Sequence, residues 1–140
     1  MIASAEERLA GASVARRAVA LIGTRYRPRG RLPFGLDCLG LVLESVALPP
    51  DTIRRYPGVV REPSVHRIMG SLARYEALGL PRDGDVVAAV HSLVHVGIVV
   101  DSGSCVVHAC ARRRLVVKDP IAEFGPSHRI VPTGRAGWHK

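Results

Sequence analysis

Halfway along this chain the hydrophobic period changes, and that change limits what it can fold into. Before about residue 80, apolar side chains recur at helical spacing; from Asp85 onward they cluster in short valine- and isoleucine-rich runs separated by turn residues. Helices first and strands later predict an α+β domain with an antiparallel sheet. The 140 residues, 47% of them hydrophobic, suffice for one core, so the whole chain 1–140 reads as a single domain.

Ser4 with Glu7 forms a capping box, and Ala10, Val14, Ala18, Leu21 and Ile22 share one helical face, predicting a first helix over about 4–22 that ends at Gly23. From Thr24 to Leu36, glycine, proline and arginine dominate and predict an exposed loop. A second helix is expected from Cys38 to about Ala47, stopped by Pro49-Pro50, so loop and helix together occupy about 24–47. Val65, Ile68, Met69 and Leu72 recur at i, i+3, i+4 and i+7 behind Ser64 and predict a connecting helix over about 64–78. The strands are expected within about 85–131, at 85–90, 94–101, 104–109, 115–118 and 128–131.

Against this framework Asp37-Cys38-Leu39-Gly40-Leu41 stands out, because a cysteine at a helix start faces unpaired backbone N–H groups and the positive end of the helix dipole. An isolated cysteine is more simply a small buried hydrophobe. Two histidines change that reading. If Ser102-Gly103 is a two-residue hairpin loop, Val99 faces Val106, Gly97 faces His108 and His95 faces Cys110. His95 and His108 then share one face of the sheet as diagonal neighbours, with Gly97 leaving room for their rings. A three-residue loop would send them to opposite faces.

The chemistry that follows is acyl transfer. Cys38 attacks a carbonyl, His95 takes the thiol proton and returns it to the leaving group, and His108 orients His95 through a hydrogen bond. The Cys38 backbone N–H and the Tyr26 hydroxyl are candidates to support the oxyanion or the thiolate. Cys110 falls on the same face and is the reserve nucleophile, whereas Cys105 points away into the core. His91 and His95 have the i, i+4 spacing of a helical zinc site, but their valine-rich surroundings predict strand, so no metal and no cofactor is expected. His66, His128 and His139 read as surface residues.

The net charge of +8 directs attention to anionic partners. The basic residues are dispersed and carry no nucleic-acid-binding signature, so no nucleic acid is expected. Three cysteines exclude a fully paired disulfide scaffold. The first residues lack the features of a signal peptide and no apolar stretch approaches spanning length, so the expectation is synthesis in the cytoplasm without membrane insertion.

Taken in order, Gly23-Thr24-Arg25-Tyr26, Asp37-Cys38-Leu39-Gly40-Leu41, Gly84-Asp85-Val86-Val87, His95-Val96-Gly97-Ile98-Val99 and Val107-His108-Ala109 resemble the motifs of NlpC/p60 cell-wall cysteine peptidases. The Gly35-Leu36-Asp37-Cys38 approach is most similar to the branch found in phage tails and gene transfer agents. This resemblance implies a papain-like fold and an endopeptidase acting on peptidoglycan stem peptides, typically at the γ-D-glutamyl to diamino-acid bond. It also implies that Cys38 is nucleophile, His95 base and His108 the orienting residue, with Tyr26 beside the thiol. Phage-like tail proteins become expected partners, and a tail or virion in contact with the cell wall becomes the expected place of action. Arg25 replaces a usual proline, Leu39 a usual serine, and Ala88-Ala89 stand where aromatics are common. Two other readings remain from the residues: a structural or binding component of a tail or envelope assembly, and an amidase or acyltransferase using the same Cys-His-His set.

Overall fold

The computed structural model describes residues 5–48, 50, 73–89 and 95–132. In chain order these form α1 (Ala5–Ala20), α2 (Cys38–Ser45), β1 (Ala73–Ala77), β2 (Val86–Ala89), β3 (Val96–Val100), β4 (Cys105–Cys110), β5 (Leu115–Pro120), a one-turn helix α3 (Ile121–Phe124) and β6 (Ser127–Pro132). The described strands make a six-stranded sheet in the order β1-β6-β2-β3-β4-β5, with every neighbouring pair antiparallel.

Both faces of the sheet are covered, which is why its central strands read as unbroken apolar runs. On one face, Val14, Ala15 and Ala18 of α1 and Leu39, Leu41, Val42 and Leu43 of α2 pack against Val96, Ile98, Val107 and Ala109. On the other, Val87, Ala89, Val99 and Val106 lie under Phe124 of α3. Helix α2 is mostly apolar, and all of its eight residues except Glu44 are buried, so it is held mainly by packing. At its end Ala47 takes φ 57° and the Leu48 N–H donates back to the Leu43 carbonyl at 3.0 Å, closing the last turn.

Helix α1 approaches the sheet closely through two glycines. A methyl group added at Gly84 would lie 2.4 Å from the Gly11 carbonyl oxygen, and one added at Gly11 would lie 2.6 Å from that of Asp83. The backbone-to-backbone approach therefore requires the absence of both side chains.

One expected element is corrected. The connecting helix expected over about 64–78 does not extend through its last residues, because Ala73–Ala77 form β1, paired with β6 from Ala73↔Pro132 to Ala77↔His128. The apolar stripe that suggested the helix ends at Leu72, and residues 64–72 lie outside those described. A free strand partner in β6 supplies the ladder hydrogen bonds that local periodicity does not register. The short helix α3 was not expected either; it follows Pro120 at the end of β5 and places Phe124 over the sheet.

The β3–β4 hairpin has the even register on which the placement of the histidines turned. Gly97 pairs with His108, Val99 with Val106 and Val100 with Cys105, and the Ser104 N–H donates to the Asp101 carbonyl at 3.3 Å. Asp101, Ser102 and Gly103 take φ 56°, 58° and 84°, so the last two have the positive φ of a primed turn and Asp101 joins them outside the ladder. At Gly97 an added methyl would meet Val106 Cγ1 at 2.5 Å, the Val107 carbonyl oxygen at 2.7 Å and His108 Cβ at 3.2 Å. Gly97→Ala is therefore expected to destabilise the fold by about 1–3 kcal/mol, read as a lower urea midpoint; an unchanged midpoint would show that β3 and β4 separate freely at this pair.

Candidate functional site

The site begins with a helix cap. Asp37 stands at the N-cap of α2 with extended backbone, and its Oδ1 accepts from the Gly40 N–H at 2.8 Å. Asp37 is only 1% exposed, so its charge needs a counterion. Arg31 provides one: its Nη1 lies 3.2 Å from Asp37 Oδ1, while the same guanidinium donates to the carbonyls of Gly30 and Pro50. Gly40 admits this arrangement, because an added methyl would lie 2.4 Å from the Gly30 carbonyl oxygen. Arg31, which the sequence places in the exposed arginine-rich loop, thus ties that loop to the start of α2. Arg27 lies over the Phe34 ring at 5.9 Å.

Cys38 follows the cap as the first residue of α2 and is buried. Its thiol receives backbone N–H groups from Val96, Leu39 and its own residue. The contact with Val96 brings it to the start of β3, one residue beyond His95. The sequence argument predicts a depressed thiol pKa, and the structure reverses it. Burial, followed by the adjacent Asp37 carboxylate, pushes the thiol up to about 12, and the N–H donors offset only part of this. The carboxylate that caps the helix also opposes a second negative charge at its start.

His95 is exposed at the entrance to β3, and its ring meets His108 edge to face with 5.9 Å between centroids. Strand alternation puts His108 on the face covered by α3, where it also packs against Phe124 at 5.2 Å. Cys38 belongs to the α1–α2 face. Thiol and imidazoles therefore belong to opposite faces of the sheet, and the Val96 N–H that meets the thiol is next in sequence to His95.

Tyr26 is half-buried and enters from the edge of β5. Its N–H donates to the Arg114 carbonyl at 2.9 Å, and the Gly23 N–H to that of Val116 at 2.8 Å, so the segment runs along that strand. Burial raises the Tyr26 phenol, and the charges of Cys38, Asp37 and Cys110 raise it further, which keeps the hydroxyl available as a donor. Of the four expected site residues, His95 and His108 are in ring contact, the Cys38 thiol meets the start of β3, and Tyr26 feels the charges of Cys38 and Cys110. Cys105, as expected, lies on the other side of β4 from His108 and packs against the core. His128 is exposed, while His66, His91 and His139 lie outside the described residues.

Two residues of this region escaped the sequence argument. His108 Nε2 lies 2.7 Å from Asp119 Oδ2, and Arg113 grips both oxygens of Asp119, with Nη1 to Oδ1 at 3.1 Å. Among the described residues the buried His108 Nδ1 has no hydrogen-bond partner, and His108 meets His95 by ring contact where an orienting hydrogen bond was expected. Parity counting on the next hairpin would have found Asp119: Cys110↔Leu115 and His108↔Val117 place it on the same face as His108, but the expected strand stopped at Lys118.

The electrostatics around Cys110 differ from those at Cys38. Burial raises the Cys110 thiol, yet hydrogen bonding to Arg113 outweighs it and leaves the pKa lowered. Among the described residues no three histidine, cysteine or acidic side chains converge as metal ligands, and no helix is long and apolar enough to cross a membrane.

No protein-family model matches the sequence, and no curated protein does. Among solved structures the chain is similar to the crystal structure of the NlpC/p60 domain of the peptidoglycan hydrolase SagA, with a TM-score of 0.62 and 24% identity over 86% of this chain and 97% of that one. The architecture is accordingly the papain-like α+β fold of NlpC/p60 domains.

The contrast between the two buried thiols has a measurable consequence. In the folded protein at pH 7, iodoacetamide is expected to modify Cys110 ahead of Cys38, and Asp37→Asn, which retains a capping oxygen and removes the charge, should accelerate Cys38. Peptide mapping by mass spectrometry reads both rates. Faster labelling of Cys38 than Cys110 in the unmodified protein would mean that the helix start outweighs burial and Asp37.

Proposed function

We propose that this protein is a cysteine peptidase that hydrolyses peptide bonds in peptidoglycan stem peptides. The observation that supports the reading is a helix-start cysteine whose thiol receives the Val96 N–H, next in sequence to a histidine that meets a second histidine edge to face. The fold shared with a peptidoglycan hydrolase domain supports the substrate class.

In this mechanism Cys38 waits as a neutral thiol, because burial and Asp37 hold its pKa far above neutrality. Its proton leaves as the sulfur attacks the scissile carbonyl, and His95 accepts it. The tetrahedral oxyanion is received by backbone N–H donors at the start of α2 and by the protonated Tyr26 hydroxyl. Collapse expels the amine, which takes the proton back from His95, and water then releases the acyl group by the same route in reverse. His108 supports the His95 ring from the side.

The finer assignment rests on sequence resemblance: cleavage between γ-D-glutamate and a diamino acid, by a protein carried in a phage or gene-transfer-agent tail and working in the periplasm or cell wall. Exposed Arg25, Arg27 and Arg29 stand next to or near Tyr26 in sequence and suit the carboxylates of such stem peptides.

Incubation with purified peptidoglycan, followed by mass analysis of soluble fragments, tests both levels. Wild type should release stem-peptide fragments with a new free amino terminus on the diamino acid. Cys38→Ala should release none, and His95→Ala should lose at least about 10²-fold in rate, as expected for removal of a general base. Equal product from Cys38→Ala would reject the nucleophile. Binding to the sacculus without product from wild type would instead favour a structural component, and cleavage at a sugar–peptide amide would make the enzyme an amidase.

A further inference from the structure

The geometry points to Asp119, clamped by Arg113, as a positioning residue that holds His108 as the neutral Nε2–H tautomer next to His95. This inference rests on the peptidase reading for its purpose, but not for its measurement.

Three observations converge on it. Asp119 Oδ2 lies 2.7 Å from His108 Nε2, within the range of a charge-assisted hydrogen bond. Arg113 engages both Asp119 oxygens in a fork, so the carboxylate is held ionised and can only accept. The proton of the shared hydrogen bond must then reside on Nε2. The remaining ring nitrogen, Nδ1, is buried and has no hydrogen-bond partner among the described residues, which suits an unprotonated lone pair and penalises an N–H.

The charges facing His108 explain why the ring stays neutral although a carboxylate touches it. Asp119 on β5 favours the imidazolium, while burial disfavours it most strongly and Arg113 in the β4–β5 turn also opposes it, so the net effect lowers the His108 pKa. His95 meets the ring from the entrance to β3, and Cys110 lies two residues along β4 beside Arg113. Helix α3 contributes the uncharged Phe124 ring, with its Glu123 exposed.

Neutrality here has a use. When His95 takes the proton from Cys38 it becomes a cation whose ring centroid is 5.9 Å from that of His108. A charged His108 would repel it at that distance, whereas a neutral ring held by an ionised carboxylate does not. Arg113 thus sets the protonation state, and Asp119 the tautomer and orientation.

Long-range proton–nitrogen NMR of the full-length protein labelled with ¹⁵N-histidine, titrated from pH 4.5 to 8.5, tests this without substrate. Wild-type His108 should show the neutral Nε2–H pattern at pH 7. Arg113→Ala should raise its midpoint by on the order of one unit, because Asp119 then acts uncompensated. Asp119→Asn should keep the tautomer and lower the midpoint, and Arg113→Lys should restore the wild-type value in part. An Nδ1–H pattern in wild type, or midpoints that move together in the two charge-removing variants, would overturn the assignment. Arg113 is 42% exposed, so its variants are expected to fold, and the wild-type spectrum decides the tautomer in any case. In peptidoglycan digestion the acid side of the rate profile should follow the same order, with Arg113→Ala losing rate at higher pH than wild type. A wild type inert on peptidoglycan would remove the peptidase reading and leave the spectroscopic assignment standing.

Discussion

The turn at Ser102-Gly103 decides which side of the sheet His108 faces relative to His95. Side chains on a strand alternate, so one residue more or less in this turn would exchange the two faces of β4 relative to β3. With the loop as it stands, His108 comes opposite Gly97 and within reach of His95, while Val107 and Ala109 remain in the core beneath the helices. Gly97 completes the constraint, since any side chain there would run into Val106 and the Val107 carbonyl.

A second constraint operates from the helix side. The N-cap Asp37 and its counterion Arg31 tie the long loop to the start of α2 and carry Cys38 to the end of β3. The same carboxylate raises the thiol pKa, so anchoring of the helix and activation of the cysteine are opposed. In the proposed mechanism this leaves proton removal to His95 during attack. On the other side of the sheet, Asp119 favours and Arg113 opposes a charge on His108.

Much of this was legible in the residues because it depends on short-range rules. The change of hydrophobic period separates helices from strands, the Asp37–Gly40 spacing announces a cap, and Ser102-Gly103 allows the register to be counted by hand. Local rules failed where an element is stabilised by a distant partner. Ala73–Ala77 is a strand because β6 offers it a ladder, and β5 extends to Pro120, beyond its valine run, because β4 pairs with it throughout. That extension carries Asp119, which is why the carboxylate beside His108 was missed.

The sequence by itself determined the α+β class, the helix-start position of Cys38 and the common face of His95 and His108, since each follows from spacing along the chain. The protonation behaviour of Cys38 and His108 follows from tertiary contacts alone. The Cys38 thiol is raised by its burial beside Asp37, and the His108 ring is held between Asp119 and Arg113, because desolvation and through-space charge depend on what folding brings near, and spacing does not encode that.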